Sequence, residues 1–282
     1  MIEIHDIAAL KAWSAERHKA NKTIAFVPTM GNLHSGHMSL IDHAQTLADE
    51  VVCSIFVNPT QFGDNEDLDA YPKTLSDDID KLKAHGCHVL FIPSAHDMYP
   101  QPDLTRVTVH HMSTLHCGAT RPGHFNGVTT VVLKLVNALQ PHFAIFGLKD
   151  FQQYTILKTM LSDLFVPTQI VGVETGRAED GLAHSSRNGY LTALERETAP
   201  CLYATLCTAR QHLEAGIKPV YEIVREAKEF LMENGLTPDY FSICRQIDLE
   251  PATDQDTELV ILAAAYLGRA RLIDNLHFHL NR

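Results

Sequence analysis

The chain has 282 residues, of which 45% are hydrophobic and 20% charged, and its formal net charge is −11. This composition is ordinary for a globular protein, and the length favours two domains. The acidic balance argues against a nucleic-acid partner, and no apolar run approaches the roughly 20 residues that span a bilayer. The N-terminus lacks the basic-then-apolar order of a signal peptide, and six cysteines without a CxxC pair suit buried free thiols, so we expect a cytoplasmic protein.

Short apolar runs alternate with helical patterns up to about residue 175. Strand-like runs occupy 23–28, 51–57, 88–92, 106–109, 142–146 and 168–173, and helical patterns occupy 37–48, 75–85, 127–139 and 150–164. This alternation predicts an α/β domain with a parallel sheet covered by helices. Ligands of such a domain bind at the carboxyl ends of the strands.

The pattern changes beyond residue 180. Helical patterns occupy 192–214 and 219–234, and strand-like runs follow at 239–244, 258–265 and 271–279. We therefore predict an α/β domain over 1–176 and a smaller α+β domain over 177–282. The polar segment 174–181 contains two glycines and is typical of a mobile connection or lid.

The segment 28–37, with the sequence PTMGNLHSGH, joins the first strand-like run to the first helical pattern. A strand, a small-residue turn and a helix start bring backbone N–H groups to phosphates. His34 and His37 are three residues apart, and Gly36 between them leaves room for a flat ligand. The pattern indicates a phosphate site with two imidazoles. The alternative is that one histidine caps the helix and the other is exposed.

Asn58 and Gln61 follow the second strand-like run. The Gln61 amide offers one acceptor and two donors to a hydroxy acid or an amine, although a plain Asn-Pro turn with an exposed amide is the alternative. The acidic run at 64–69 predicts a solvated loop. Asp77 and Asp78 open a helical pattern, where they either interact with the helix dipole or act as outer ligands of a nucleotide-bound Mg²⁺.

Two later segments carry cationic side chains. Arg121 and His124 precede a helical pattern and suit the recognition of a carboxylate. Lys149, Asp150 and Gln153 stand at a strand-to-helix transition, where a lysine can contact a phosphate and an aspartate can cap the helix.

The segment 184–187, with the sequence HSSR, combines two hydroxyls with a guanidinium. This composition suits phosphate neutralisation, although an isolated segment of this kind is also typical of a surface loop. Together the segments place imidazoles, cations and hydroxyls beside amides. This combination indicates a reaction in which a carboxylate attacks ATP.

The chain resembles the pantothenate synthetase (pantoate–β-alanine ligase) family of the HxGH nucleotidyltransferase superfamily over essentially its whole length. The segments that carry the resemblance are PTMGNLHSGHMSL, FVNPTQFGDNEDLDAYPKT, RPGHFNGVTTVV, FGLKDFQQ and SSRNGYL. The resemblance implies a Rossmann-like parallel sheet with an HxGH nucleotide site, a smaller C-terminal α+β domain and a homodimer. It also implies condensation of (R)-pantoate with β-alanine through pantoyl adenylate, with ATP as a substrate and AMP and pyrophosphate as products.

The resemblance further implies site residues at the matching positions. Those implied to contact ATP are Met30, Gly31, Asn32, Leu33, His34, Ser35, Gly36, His37, Gly147, Leu148, Lys149, Asp150, Gly176, His184, Ser185, Ser186 and Arg187. Those implied to act in catalysis are His34, His37, Lys149, Ser185, Ser186 and Arg187. The implied contacts of pantoate and β-alanine are Asn58, Gln61, Arg121, His124 and Gln153, and the carboxylates assigned to Mg²⁺ are Asp77 and Asp78.

Three positions depart from the family pattern. Leu148 stands where the family has Glu, His184 where it has Met or Leu, and Asn126 where it has Asp. None of these departures removes a residue with an implied chemical role, and His184 adds an imidazole near the implied nucleotide site. Two other functions stay open at this point: a nucleotidylyltransferase with a basic acceptor pocket, and a nucleotide-binding module without activity. The amides of Asn58 and Gln61 favour the ligase.

Overall fold

The computed structural model describes residues 1–63, 68, 71–101, 103–216 and 218–281, so the acidic side chains of the predicted loop at 64–69 lie outside it. The first six strands are β1 (Ile2–Ile4), β2 (Ile24–Thr29), β3 (Glu50–Ile55), β4 (Val89–Phe91), β5 (Phe143–Gly147) and β6 (Gln169–Val173). They form a parallel sheet in the order β1-β4-β3-β2-β5-β6. The strand order reverses between β2 and β5, which is where open α/β sheets form their ligand crevice.

Helices cover both faces of this sheet. They are α1 (Ile7–Lys19), α2 (Ser35–Gln45), α3 (Leu75–Ala84), α4 (Ala95–Met98), α5 (Cys117–Thr120), α6 (His124–Leu139) and α7 (Phe151–Asp163). Successive side chains of a strand point to opposite faces, so Phe26 packs into one core while Ala25 and Val27 pack into the other. The predicted parallel α/β sheet is confirmed.

The C-terminal part has a second sheet and core. After α8 (Ala193–Thr198), α9 (Cys201–Ala215) and α10 (Val220–Glu233), the strands β7 (Thr237–Arg245), β8 (Glu258–Leu267) and β9 (Ala270–His279) pair antiparallel. Helices α9 and α10 pack their apolar faces on this sheet. In the described residues no helix is long and apolar enough to cross a membrane, and all six cysteines are free.

Three element predictions differ from the structure. Strand β1 and helix α1 were not predicted, although Asp6 precedes α1 as an N-cap and accepts a hydrogen bond from the Ala9 N–H at 2.8 Å. The predicted strand at 106–109 is an extended segment without a strand partner among the described residues, since threonine side chains of α6 bind Val107 instead. The helix predicted at 192–214 is interrupted at Pro200, because proline has no N–H to donate.

The segment 174–181 is a hydrogen-bonded turn rather than a loose connection. Arg177 pairs with Ala183 as an isolated bridge, and the Ala178 N–H donates to the Leu182 carbonyl at 2.9 Å. The Arg177 guanidinium also binds both carboxylate oxygens of Asp274 in β9, at 2.6 and 2.9 Å. Such a bidentate pair is directional, so it ties the turn to the second sheet.

Candidate active site

A buried carboxylate holds the turn between β2 and α2. Asp78 is 1% exposed and accepts hydrogen bonds from the Asn32 N–H at 2.9 Å and the Leu33 N–H at 2.8 Å. The Thr74 hydroxyl donates to the same carboxylate at 3.1 Å. Gly31 and Asn32 have φ values of 82° and 51°, a left-handed conformation that glycine and asparagine adopt with little strain. Asp78 therefore fixes the backbone of the turn.

His34 and His37 lie side by side at the start of α2. Their ring centroids are 4.1 Å apart, and the His34 backbone N–H donates to Nδ1 of His37 at 3.3 Å. In a neutral His37 ring the hydrogen is therefore on Nε2. Nδ1 of His34 is buried without a hydrogen-bond partner in the described part of the chain, a cost that a bound ligand would relieve. Both side chains line a cavity of about 260 Å³.

Burial and nearby positive charge keep both imidazoles neutral. Burial, followed by His37 and Lys149, lowers the pKa of His34 to about 3. Burial, followed by Lys149 and Lys81, lowers the pKa of His37 to about 4. At neutral pH the pair can therefore donate hydrogen bonds to a phosphate without bearing positive charge in the free protein.

We expect both imidazoles to stay neutral between pH 8 and about pH 5, whereas unperturbed histidines titrate near 6.5. NMR titration of the imidazole Cε1–Hε1 signals, assigned with His34→Gln and His37→Gln, measures this. Because the folded pKa values are depressed, the unfolded chain binds more protons between about pH 6.5 and 4. The pair therefore lowers the free energy of unfolding as the pH falls through that window. A titration of either ring near pH 6.5 would contradict the account.

The turn after β5 forms the facing wall of the cavity. Nδ2 of Asn275 donates to the backbone carbonyls of Leu148 and Lys149, each at 2.8 Å. Asn275 is 3% exposed and belongs to β9, so the second sheet fixes the backbone that carries Lys149. Leu148 itself packs in an apolar cluster with Val260 and Leu262 of β8. The Leu148 departure thus contributes to packing between the two sheets.

His184 lies between α2 and the turn at 174–181. Its backbone N–H donates to the Gly176 carbonyl at 2.9 Å, and its ring centroid lies 6.4 Å from that of His34. A Cβ added at Gly36 or at Gly176 would meet His184 at 3.4 Å. The His184 departure therefore adds a third imidazole to this wall.

Amide side chains form a further part of the cavity lining. Gln61 lies in the 3-10 helix Pro59–Gln61, and its Oε1 accepts from Nδ2 of Asn58 at 2.9 Å. Asn58 is 1% exposed, and its Oδ1 accepts from the Tyr99 hydroxyl at 2.8 Å. Nε2 of Gln61 is 3.2 Å from Sδ of Met30. This network fixes the orientation of the Gln61 amide, which lines the cavity and can donate to a carboxylate or hydroxyl oxygen.

The backbone of Gln61 is also held from α6. Nδ1 of His124 donates to the Gln61 carbonyl at 2.7 Å, and Nη1 of Arg121 donates to Nε2 of His124 at 3.1 Å. Gly127 lies against the same turn, because a Cβ there would come within 2.4 Å of the Thr60 carbonyl oxygen and 2.7 Å of the Gln61 Cα. Only a residue without a side chain permits this approach.

The cavity gathers most of the predicted site residues from distant parts of the sequence. Those that line it are Met30, His34, Gly36, His37, Asn58, Gln61, Arg121, His124, Gly147, Lys149, Asp150, Gln153, Gly176, His184, Ser185, Ser186 and Arg187. The predicted residues outside this lining are Gly31, Asn32, Leu33, Ser35, Leu148, Asp77 and Asp78. Leu33, for example, is 2% exposed and packs in the core.

The two carboxylates predicted to bind magnesium, Asp77 and Asp78, lie outside the cavity lining, and their magnesium assignment stays a prediction. Both carboxylate oxygens of Asp78 accept hydrogen bonds within the fold, and Asp77 is exposed on the first turn of α3. Among the described residues there is no group of three or more His, Cys, Asp or Glu side chains that could hold a metal ion. The helix-dipole alternative agrees with the structure, because Asp77 and Asp78 both lie in the first turn of α3. Asp78 additionally binds the turn after β2.

Sequence reasoning missed two residues that support the site. Gly127 stands in the motif RPGHFNG, and a glycine at the start of a helix is a signal of close backbone approach. Asn275 stands in a strand pattern, 127 residues after Leu148 and 126 residues after Lys149, whose carbonyls it binds. No local pattern marks that contact.

Comparison with known proteins decides the family. A sequence profile described as Pantoate-beta-alanine ligase matches residues 3–277. The chain belongs to the pantoate-beta-alanine ligase family. The family and the ligase activity predicted from the motifs are thereby confirmed.

Relatives and solved structures of this ligase family match the chain over nearly its full length. The chain is 54% identical over 275 residues to a pantothenate synthetase of Stutzerimonas stutzeri, covering 97% of this chain and 96% of the relative. A crystal structure of pantothenate synthetase from Thermus thermophilus superposes with a TM-score of 0.91 at 41% identity, covering 98% and 99% of the two chains. A pantoate-beta-alanine ligase from Francisella tularensis, described as complexed with beta-gamma ATP and beta-alanine, has a TM-score of 0.83 at 35% identity, with 98% and 97% coverage.

Proposed function

We propose that this cavity carries the ATP-dependent condensation of (R)-pantoate with β-alanine through pantoyl adenylate. The observation that carries the proposal is that two kinds of polar group line one cavity. The imidazoles and Lys149, which form the nucleotide wall, are groups that phosphates require, and the amides of Gln61 and Gln153 are groups that a hydroxy acid requires. The Francisella ligase complex supports ATP and β-alanine as ligands of this site.

In the first step a pantoate carboxylate oxygen bonds to the α-phosphorus of ATP. The bond from that phosphorus to the bridging oxygen breaks, and its electron pair leaves with pyrophosphate. Lys149 and Arg187 offset the charge that develops on the leaving group, and the neutral imidazoles of His34 and His37 donate hydrogen bonds to it. Mg²⁺ enters as part of the ATP substrate, bound to its phosphates.

In the second step the β-alanine amine attacks the carbonyl carbon of the adenylate. The carbon–oxygen bond to AMP breaks, the amine loses a proton, and pantothenate and AMP are formed. No protein nucleophile is required. Gln61, fixed by Asn58 and His124, holds the acyl group in place, since an ordered geometry supplies much of the rate of such reactions.

We expect Gln61→Ala to weaken the use of pantoate and β-alanine while ATP binding is largely kept. The amide can bind hydroxyl and carboxylate oxygens, but it cannot neutralise a phosphate, and each substrate group left unpaired should cost about 1–3 kcal/mol. Calorimetric ATP affinity and steady-state kinetics for both acids measure the split.

The matched control is Gln211→Ala, an exposed glutamine on α9. It should leave both measurements unchanged. If Gln61→Ala abolished ATP affinity while the Michaelis constants for pantoate and β-alanine held, Gln61 would belong to the nucleotide wall and the proposed division of the cavity would be wrong.

We also propose that the chain divides into domains 1–176 and 177–282 and works as a cytoplasmic homodimer. Separate cores and sheets support the division. The family resemblance supports the dimer. Sedimentation should give twice the chain mass. A monomer at micromolar concentration would exclude the dimer.

A further inference from the structure

A lysine outside the cavity lining binds the peptide group that holds the His37 ring. Nζ of Lys81 donates a hydrogen bond to the Leu33 carbonyl oxygen at 2.8 Å. That oxygen belongs to the same peptide group as the His34 N–H, which donates to Nδ1 of His37 at 3.3 Å. A peptide group is planar, so a contact that holds its oxygen also fixes the direction of its N–H. Lys81 therefore reaches the imidazole of His37 through a single peptide group.

Helix α3 brings two charged side chains to the turn before α2. Lys81 lies three residues after Asp78, and side chains at this spacing share one face of a helix. Asp78 accepts from the N–H groups of Asn32 and Leu33. Lys81 binds the carbonyl of Leu33, which belongs to the next peptide group along the chain. Loss of the lysine would thus leave the turn held by Asp78 and free only the peptide group between Leu33 and His34.

The ammonium of Lys81 also strengthens the hydrogen bond that sets the His37 tautomer. A positive charge at a carbonyl oxygen polarises the peptide group, so its N–H becomes a better donor. A better donor at the His34 N–H favours the imidazole whose Nδ1 is an acceptor. The ring hydrogen of His37 then stays on Nε2, the nitrogen that remains for a ligand in the cavity.

Charged and titratable groups on several elements face the imidazole pair. They are Lys149 and Asp150 after β5, His184 beside the turn at 174–181, and Lys81 and Asp78 on α3. Burial lowers the pKa of His37 most, Lys149 next and Lys81 after it. Of the two lysines, Lys149 lines the cavity and Lys81 does not. The charge of Lys81 therefore acts on His37 from behind, whereas that of Lys149 is also available to a substrate.

We propose that Lys81 is a positioning residue for adenylate formation, which keeps the ring hydrogen of His37 on Nε2 by holding the peptide group between Leu33 and His34. In that tautomer His37 donates to the leaving pyrophosphate. The catalytic part of this inference rests on the proposed function, whereas the tautomer is a property of the free protein and is measured without substrates.

The first test compares the His37 tautomer in two variants. Lys81→Met removes the ammonium and keeps an unbranched side chain, and Lys81→Arg keeps both a charge and donors. NMR of the ring nitrogens, assigned with His37→Gln, should show hydrogen on Nε2 in the unmodified chain and in Lys81→Arg. In Lys81→Met the tautomer with hydrogen on Nδ1 should appear beside it. The pKa of His37 should also rise in Lys81→Met, because a nearby positive charge is lost.

The second test is the kinetics of pantoate-dependent pyrophosphate release. Its rate should fall about tenfold in Lys81→Met, the loss expected for one hydrogen bond to a charged group, and Lys81→Arg should restore most of it. The Michaelis constants for ATP and pantoate should stay within about twofold, since the lysine contacts neither substrate. The matched control is Lys83→Met, an exposed lysine of the same helix, which should change neither the spectrum nor the rate.

Two results would overturn the proposal. An unchanged His37 tautomer in Lys81→Met would show that the lysine does not act through the peptide group, even if the free energy of unfolding fell. A mixed tautomer with an unchanged rate of pyrophosphate release would show that the reaction does not depend on this positioning. Absence of pyrophosphate release in the unmodified chain would instead contradict the proposed function, and the NMR comparison would still decide whether Lys81 sets the tautomer.

Discussion

Replacement of His37 or His34 by alanine is expected to slow pantoyl-adenylate formation by about 10²–10⁴-fold, the range for positioned acid–base and charge-stabilising groups. Both rings line the cavity at the start of α2, and the tautomer of His37 is set by the His34 backbone N–H. Each variant removes a donor aimed at the leaving pyrophosphate. Pyrophosphate release in the presence of ATP and pantoate, measured in a coupled assay, gives the rate.

The control is His43→Ala on the same helix, because His43 does not line the cavity. It should keep nearly full activity. Folding should survive in all three variants, since the backbone of the turn is held by Asp78 rather than by the imidazoles. Near-normal pyrophosphate release by both the His34 and His37 variants would remove these histidines from the mechanism.

Gly127→Ala should lower kcat/KM for pantoate by roughly 10²-fold, the effect of a displacement of about 1 Å at a reacting centre. The added Cβ would lie 2.4 Å from the Thr60 carbonyl oxygen, so the turn that carries Gln61 must move. Overpacking of this kind should also lower the free energy of unfolding by about 1–3 kcal/mol. Steady-state kinetics and urea denaturation measure the two effects.

Asn137→Ala provides the comparison, because Asn137 is exposed on the same helix. It should leave the kinetics unchanged. ATP affinity should survive in Gly127→Ala, since the nucleotide wall follows β2 and β5 rather than this turn. Unchanged kinetics in Gly127→Ala would mean that the position of Gln61 does not limit the reaction.

Local patterns predicted the parts of the fold that local interactions determine. The alternation of apolar runs gave the parallel strands, and the glycines and histidines of the segment 28–37 indicated the turn before α2. His34, Lys149 and Gln61 were assigned to one site because parallel strands end at one edge of a sheet. Their presence in a single cavity agrees with that reasoning.

Such local patterns do not predict contacts between segments that are far apart in the sequence. Asp78 was assigned to a metal because acidic residues at a helix start have several uses, and only the fold shows that it binds N–H groups 45 and 46 residues away. Asn275 is in a strand of the second sheet, and its hydrogen bonds to the backbone carbonyls of Leu148 and Lys149 depend on how the two sheets pack. Pro200 was a local signal for a helix break that the periodic pattern concealed.

The most direct test of the two-step mechanism is exchange of radiolabelled pyrophosphate into ATP with pantoate present and β-alanine absent. If the cavity forms pantoyl adenylate first, pantoate alone must support the exchange, because the first step is reversible and needs no amine. The exchange should also fall about 10²–10⁴-fold in His37→Ala. Exchange that requires β-alanine, or its absence in an otherwise active protein, would contradict an adenylate intermediate and the proposed roles of both cavity walls.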